Sequence, residues 1–380
     1  MSTKKTEPTA MTEKPRHRAV GPQAEREIEA PHLSYQPQNP QRTRPRIALI
    51  GCGGITREHL KAYRAAGYDV AALCDINLES ARNRQEEFYP EADIYSNHRE
   101  MLKRDDIEVV DITTHPPVRP PLIEDALLAG KHVLSQKPFV LDLKVGQQLV
   151  ELADQCGRIL AVNQNARWAP HFSYARAAVV AGLVGDVNGI QMAIHWDHRW
   201  VEGTPFEKIR HLILYDYAIH WFDFVNYVMQ GSTPLRCYAS TTYNQGQTLY
   251  PPLSAQVAIE YPHTQVSIGY NAGTPYGRQD STYIAGSAGS IFSTGPNEKE
   301  QDLTLFTAEG IARPKLQGSW FPDGFHGAMG ELLLAIEEGR QPTHSARDNL
   351  GSLALCFAAI HSAETHEVVT PGEVLHLPNG

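Results

Sequence analysis

The stretch RIALIGCGGITREHL, residues 46–60, joins a short apolar run to a helix-like run through Gly51, Gly53 and Gly54. Glycine allows a tight turn there, and it lets backbone N–H groups approach a pyrophosphate at a helix N-terminus. Thr56 replaces the third glycine of a G-x-G-x-x-G pattern, so the motif has to be judged by its surroundings. The next β-rich run, AALCD, ends in Asp75, 24 residues after Gly51. A carboxylate at that place accepts hydrogen bonds from the adenosine ribose hydroxyls and repels a 2′-phosphate, which favours NAD. Arg82 and Arg84 lie close enough in sequence to keep NADP open.

Outward from this turn, short β-rich runs alternate with helical stretches: DVAALCD, LESARNRQEEF, IEVVDITT, LIEDALLAG, KHVLSQKP, LKVGQQLVELADQCG, RILAVN. That alternation marks a parallel sheet covered by helices on both faces, so residues 46–165 read as a doubly wound α/β dinucleotide-binding domain. After a helical segment near 171–182 the texture changes to runs such as GIQMAIHWD, SAQVAIEY and TQVSIGYNAG, separated by Gly, Pro and Asn. These are consecutive, mostly antiparallel strands, and FHGAMGELLLAIEEG and RDNLGSLALCFAAIHSAETH close the chain as helices. Residues 166–380 are therefore expected to form an α+β domain built on a large sheet. Residues 1–45 are polar and proline-punctuated, either a disordered tail or an extended arm on a neighbouring subunit anchored by Leu33 and Tyr35.

At 380 residues, two domains are the default expectation. The net charge of -9 argues against general binding to nucleic acid or a membrane surface. No apolar run of about 18 residues is present, and the first 20 residues lack the apolar centre of a secretory signal. The five cysteines are odd in number, scattered, and never spaced C-x-x-C, which suits a reducing cytoplasm and argues against structural zinc.

Two further places carry chemistry. GKHVLSQKPF ends a strand with Gln136, Lys137 and Pro138, and ligands bind at such strand ends, so Lys137 either points toward a nicotinamide or is a solvated lysine before a turn. LYDYAIHWFDF, residues 214–224, sets Asp216, His220 and Asp223 at i, i+4 and i+7 among aromatic and aliphatic residues. On a helix they would share one largely buried face. They would bind a metal, move a proton, or satisfy one another in a core.

The segments AGKHVLSQKP (129–138), NARWAP (165–170) and DYAIH (216–220) together resemble the glucose–fructose oxidoreductase / inositol dehydrogenase / rhizopine catabolism (Gfo/Idh/MocA) family, over roughly residues 46–370. The resemblance implies a Rossmann domain that binds NAD, with NADP possible, through Gly51, Gly53, Gly54, Ile55, Asp75, Thr114, Gln136 and Lys137. It implies Lys137, Asp216 and His220 as the catalytic group; no second cluster of His, Cys or carboxylate stands out to complete a metal site, and hydride transfer to nicotinamide needs no Lewis acid, so no metal is expected. It also implies a homodimer or homotetramer joined through the large sheet. A histidine can take the hydroxyl proton near neutral pH and a lysine can stabilise the developing alkoxide, so the chemistry agrees with that assignment. Asp223 has no catalytic role in this picture and would cap or brace its helix. Substrate contacts are expected from Arg167, Trp168, Asp216 and His220; HWDHRW (195–200) suits a sugar or, equally, sheet packing. The chain departs from the family pattern at His115, at Arg119, where a histidine is common, and at Gln136, where glutamate is usual. The expected activity is NAD(P)-dependent hydride transfer at a secondary hydroxyl of a sugar, sugar derivative or cyclic polyol. The rivals are a glycoside-cleaving enzyme that recycles its NAD and a non-catalytic dinucleotide-sensing regulator.

Overall fold

A computed structural model describes residues 26–377 apart from residue 298. Six strands form an all-parallel sheet in the spatial order Asp93–Tyr95, Val70–Cys74, Ile47–Ile50, Val109–Ile112, His132–Gln136, Leu160–Asn163. Ile47–Ile50 is buried along its whole length, as a strand covered on both faces requires. Strand order reverses beside it, and the glycine turn leaves its carboxyl end at that switch point, where open α/β sheets bind ligands.

The second sheet has nine strands, among them Val187–His195, Arg236–Thr242, Ser254–Glu260, Gln265–Asn271, Gln279–Gly286 and Gly289–Gly295. Its pairings are antiparallel except for Gln265–Asn271 with Val187–His195 and Glu27–Ile28 with Gly310–Ala312. Burial alternates along Ser254–Glu260, so one face packs on the core and the other looks outward. Helix Ala346–Thr365 covers part of the inner face and also touches helices Leu143–Gln155 and Ile219–Val228.

The expected break near residue 165 is less clean than the sequence suggests. Helix Trp320–Glu338 returns to the parallel sheet, where Phe325, Met329 and Leu332 are buried with Leu49, Tyr63, Val109 and Leu134. Its amphipathic pattern demands an apolar partner, and the first domain supplies it. Segment 26–45 also departs from expectation, because it lies along its own chain. The Ser173 hydroxyl donates to Tyr35 O at 2.6 Å, the Tyr174 hydroxyl to Pro31 O at 2.9 Å, and the Tyr35 and Tyr174 rings meet edge-on at 5.7 Å. Gly330 lets the segment approach helix Trp320–Glu338, since a Cβ there would lie 2.3 Å from Gln38 O. Residues 1–25 lie outside the described residues.

Candidate active site

Gly51 has φ +97°, and a Cβ on it would meet Thr113 Oγ1 at 3.0 Å and Thr114 Cγ2 at 3.1 Å, so only glycine fits the turn comfortably. Gly53 and Gly54 face open space, with nothing within 4 Å of the place a Cβ would occupy. Helix Thr56–Ala66 then begins, with Ile55 at its cap and 37% exposed. In its first turn Arg57 N–H bonds back to Gly54 O at 3.3 Å and Glu58 N–H to Ile55 O at 2.9 Å, and the positive end of the helix dipole there favours an anion. Thr56 belongs to the interior: its hydroxyl donates to Gly51 O at 2.8 Å, and it is fully buried. Asp75 accepts from Cys52 N–H at 2.7 Å and Asn77 N–H at 2.8 Å, which fixes the carboxylate beside the turn. Arg84 Nη2 donates to Gly53 O at 3.2 Å, while Arg82 pairs with Glu79 at the surface. An open glycine cradle, a helix N-terminus and a fixed carboxylate fit a dinucleotide.

Lys137 follows strand His132–Gln136, and its Nζ donates to Asp216 O at 2.9 Å and Asp216 Oδ1 at 3.3 Å. Asp216 sits in a π-helical turn, Ile213–Tyr217, and His220 near the start of helix Ile219–Val228. His220 Nδ1 is enclosed without a hydrogen-bond partner, and its ring meets Trp320 edge-on at 5.1 Å. Burial, reinforced by the Lys137 charge, holds the His220 pKa well below its ordinary 6.5, so the ring is neutral at pH 7. His198 faces the same group; burial drives its pKa down to about 4, against the pull of Asp216 and with the push of Lys137. The rings of His198 and Trp200 (5.1 Å), Trp200 and Phe206 (5.7 Å), and Phe206 and His115 (6.3 Å) continue as an aromatic wall.

Behind Lys137 lies a buried network. Gln136 Oε1 accepts from Lys137 N–H at 2.7 Å, while Gln136 Nε2 and Asn163 Nδ2 donate to His59 Nε2 at 2.8 and 3.1 Å. His59 Nδ1–H and the Tyr63 hydroxyl then donate to Asp111 Oδ2, each at 2.7 Å. With two amides donating to Nε2, His59 accepts there and donates from Nδ1.

Residues 45–164 match the oxidoreductase family with an NAD-binding Rossmann fold, and residues 172–292 match the GFO/IDH/MocA C-terminal domain. The chain belongs to the Gfo/Idh/MocA oxidoreductase family. It is 31% identical to a D-apiose dehydrogenase from Paraburkholderia graminis, over 85% of this chain and 88% of that one. It is 24% identical to an inositol 2-dehydrogenase from Rhizobium meliloti, over 85% of this chain and 98% of that one. The fold is shared with an oxidoreductase from Agrobacterium radiobacter solved with NAD+, L-tartaric acid and magnesium: TM-score 0.77, 20% identity, 87% of this chain and 99% of that one. The chain is thus an NAD-dependent oxidoreductase of the sugar and polyol dehydrogenase type.

Other residues of this Gfo/Idh/MocA chain lie away from the place the sequence suggested. Arg167 is 3% exposed and turned inward, with Nε 2.6 Å and Nη2 2.7 Å from the Asp223 carboxylate and Nη2 2.5 Å from Asp348. A guanidinium so fully engaged is not free to line a substrate cleft. Trp168, half-buried, packs edge-on against His344 at 5.0 Å and against Gly327 of helix Trp320–Glu338. The shared helical face fails as well, because the π turn changes the angular step between Asp216 and the residues that follow. Asp216 meets Lys137, whereas Asp223 meets Arg167 and accepts from the Ser352 hydroxyl at 2.8 Å, bracing its helix. The His59–Asp111 pair was missed in the sequence. Its signal was present as polar His59 and Tyr63 at i and i+4 within a helix whose other buried positions include Leu60 and Ala62.

Proposed function

We propose that this enzyme acts on a secondary hydroxyl of an uncharged sugar, sugar derivative or cyclic polyol, with Lys137, Asp216 and His220 at the reacting oxygen. The observation that carries this reading is the Lys137 ammonium held on Asp216 beside a neutral, largely enclosed His220. NAD, when held by Gly51, Gly53, Gly54, Ile55, Asp75 and Thr114, supplies the hydride acceptor. Lys137 donates a hydrogen bond to the substrate oxygen and stabilises its developing charge. His220 takes the hydroxyl proton as the carbon–oxygen double bond forms, and Asp216 orients the ammonium. The choice of an uncharged substrate rests on two cations already holding carboxylates: Lys137 on Asp216, and Arg199 on Asp197 at 2.8 Å. The rings of Trp200, Phe206 and His115 suit the apolar face of a sugar. Apiose and inositol, named in the relatives' activities, are uncharged polyhydroxy compounds of this kind.

The test is NADH formation by the purified protein with NAD and a panel of pentoses, hexoses, inositols, sugar acids and glycosides. Neutral sugars or polyols are expected to give NADH, and Lys137→Ala should lower kcat by roughly 10²–10⁴-fold while leaving NAD binding intact. Full turnover in that variant would remove Lys137 from the chemistry. Glycoside conversion without net NADH would favour cleavage with a recycled cofactor.

A further inference from the structure

The family departure at position 119 places an unusual charge under the site. Arg119 opens helix Arg119–Leu128 and is 1% exposed. Its guanidinium donates to backbone carbonyls: Nε to Thr114 O at 3.1 Å, Nη2 to the same oxygen, and Nη1 to Gln136 O, Pro138 O and, at 3.3 Å, Phe139 O. The cofactor-side loop at Thr114 is thereby tied to both flanks of Lys137. Only a planar fork of five donors reaches so many acceptors at once. Among the described residues no carboxylate lies within ion-pairing distance of Arg119, although Asp216 and Asp111 act on it from farther away. Burial brings its pKa down to about 10, which still leaves it charged at neutral pH.

We propose that Arg119 is a positioning residue for Lys137 whose charge, bonded to carbonyls and to no carboxylate, also biases the bound dinucleotide toward its reduced form. The proposal rests on the reading that puts the nicotinamide beside Lys137. The oxidised nicotinamide ring is cationic and the reduced ring is neutral, so a fixed buried cation disfavours the first relative to the second. Lys137 adds a second positive charge, whereas Gln136, where the family usually has glutamate, adds none. Among the described residues, Asp216 is the one carboxylate bonded to Lys137. A purely structural clamp would hold both cofactor forms equally well, and this separates the two roles.

The experiment titrates the full-length protein with NADH by fluorescence and displaces it with NAD, giving the ratio of the two Kd values. The wild type is expected to prefer NADH. Arg119→Gln should shrink that preference by roughly fivefold, the scale of one partly screened charge. Arg119→Lys keeps the charge without the fork, so it should preserve the ratio and lower kcat. Equal weakening of both forms in Arg119→Gln, or an unchanged ratio, would overturn the proposal. If Arg119→Gln does not fold by circular dichroism, wild type and Arg119→Lys still decide: equal affinity of the wild type for NAD and NADH, or a preference lost in Arg119→Lys, would overturn it. Failure of the underlying site reading would show separately, as full turnover in Lys137→Ala.

Discussion

His220 must be neutral to accept a proton, and its surroundings keep it so. Enclosure penalises the imidazolium first, and the neighbouring Lys137 ammonium repels it further. Both effects lower the pKa, so the base-competent form persists below pH 6.5 and is lost only as pH falls through the lowered value. The acid limb of kcat/KM for alcohol oxidation is therefore expected to inflect below 6.5, measured between about pH 5 and 9 on a substrate that itself does not titrate. An inflection at or above 6.5 would mean that another group takes the proton. At this scale the sequence was informative where chemistry depends on residue type alone. Asp216 and His220 stood out as polar groups in an apolar run, Lys137 joined them only through the family resemblance, and the structure brings the three together. Arg167 misled because its neighbourhood in sequence says nothing about which way the guanidinium turns. Its partners are 56 and 181 residues away.

Helix Ile219–Val228 owes its setting to the π turn before it and to the Arg167–Asp223 pair behind it. The turn was not legible in the sequence, because a residue admitted to a helical turn leaves composition and apolar content almost unchanged. The parallel strands were legible, since their double-sided burial writes an unbroken apolar run such as IALI. Asp223 and Arg167 are each about 1% exposed at the side chain, so removing one partner strands the other in the core. Asp223→Ala is expected to cost roughly 3 kcal/mol, near the low end for a broken buried pair because Asp348 still holds Arg167. Urea unfolding followed by circular dichroism measures it. A loss under about 1 kcal/mol would show that the core relaxes to hydrate Arg167. NAD binding should survive in that variant, since the glycine turn lies on another element.

Across the whole molecule, segment 26–45 reaches from the edge of the nine-stranded sheet, at Glu27–Ile28, to the entry of the parallel sheet. Its hold was invisible to a hydrophobic pattern because much of it is made by backbone groups. Glu337, on helix Trp320–Glu338, accepts from the N–H groups of Gln41 at 3.1 Å, Arg42 at 2.6 Å and Thr43 at 2.8 Å. Burial pushes its pKa up, but the N–H groups of Arg42, Gln41 and Thr43 outweigh that and bring it down to about 2 from an ordinary 4.5. A depressed carboxylate pKa stabilises the attached state above 4.5 and withdraws that support as pH falls from there toward about 2. Glu337→Gln removes the charge at every pH while nearly keeping the side-chain shape. Amide hydrogen exchange at neutral pH should then be faster at Gln41, Arg42 and Thr43, with Leu49 and Val109 in the parallel sheet unchanged. In the wild type the same three amides should lose protection on acidification before the sheet does. If Glu337→Gln leaves their exchange as slow as in the wild type, the carboxylate is not what fastens the segment, and its other contacts, among them those at Tyr35, Tyr174 and Asn39, hold it.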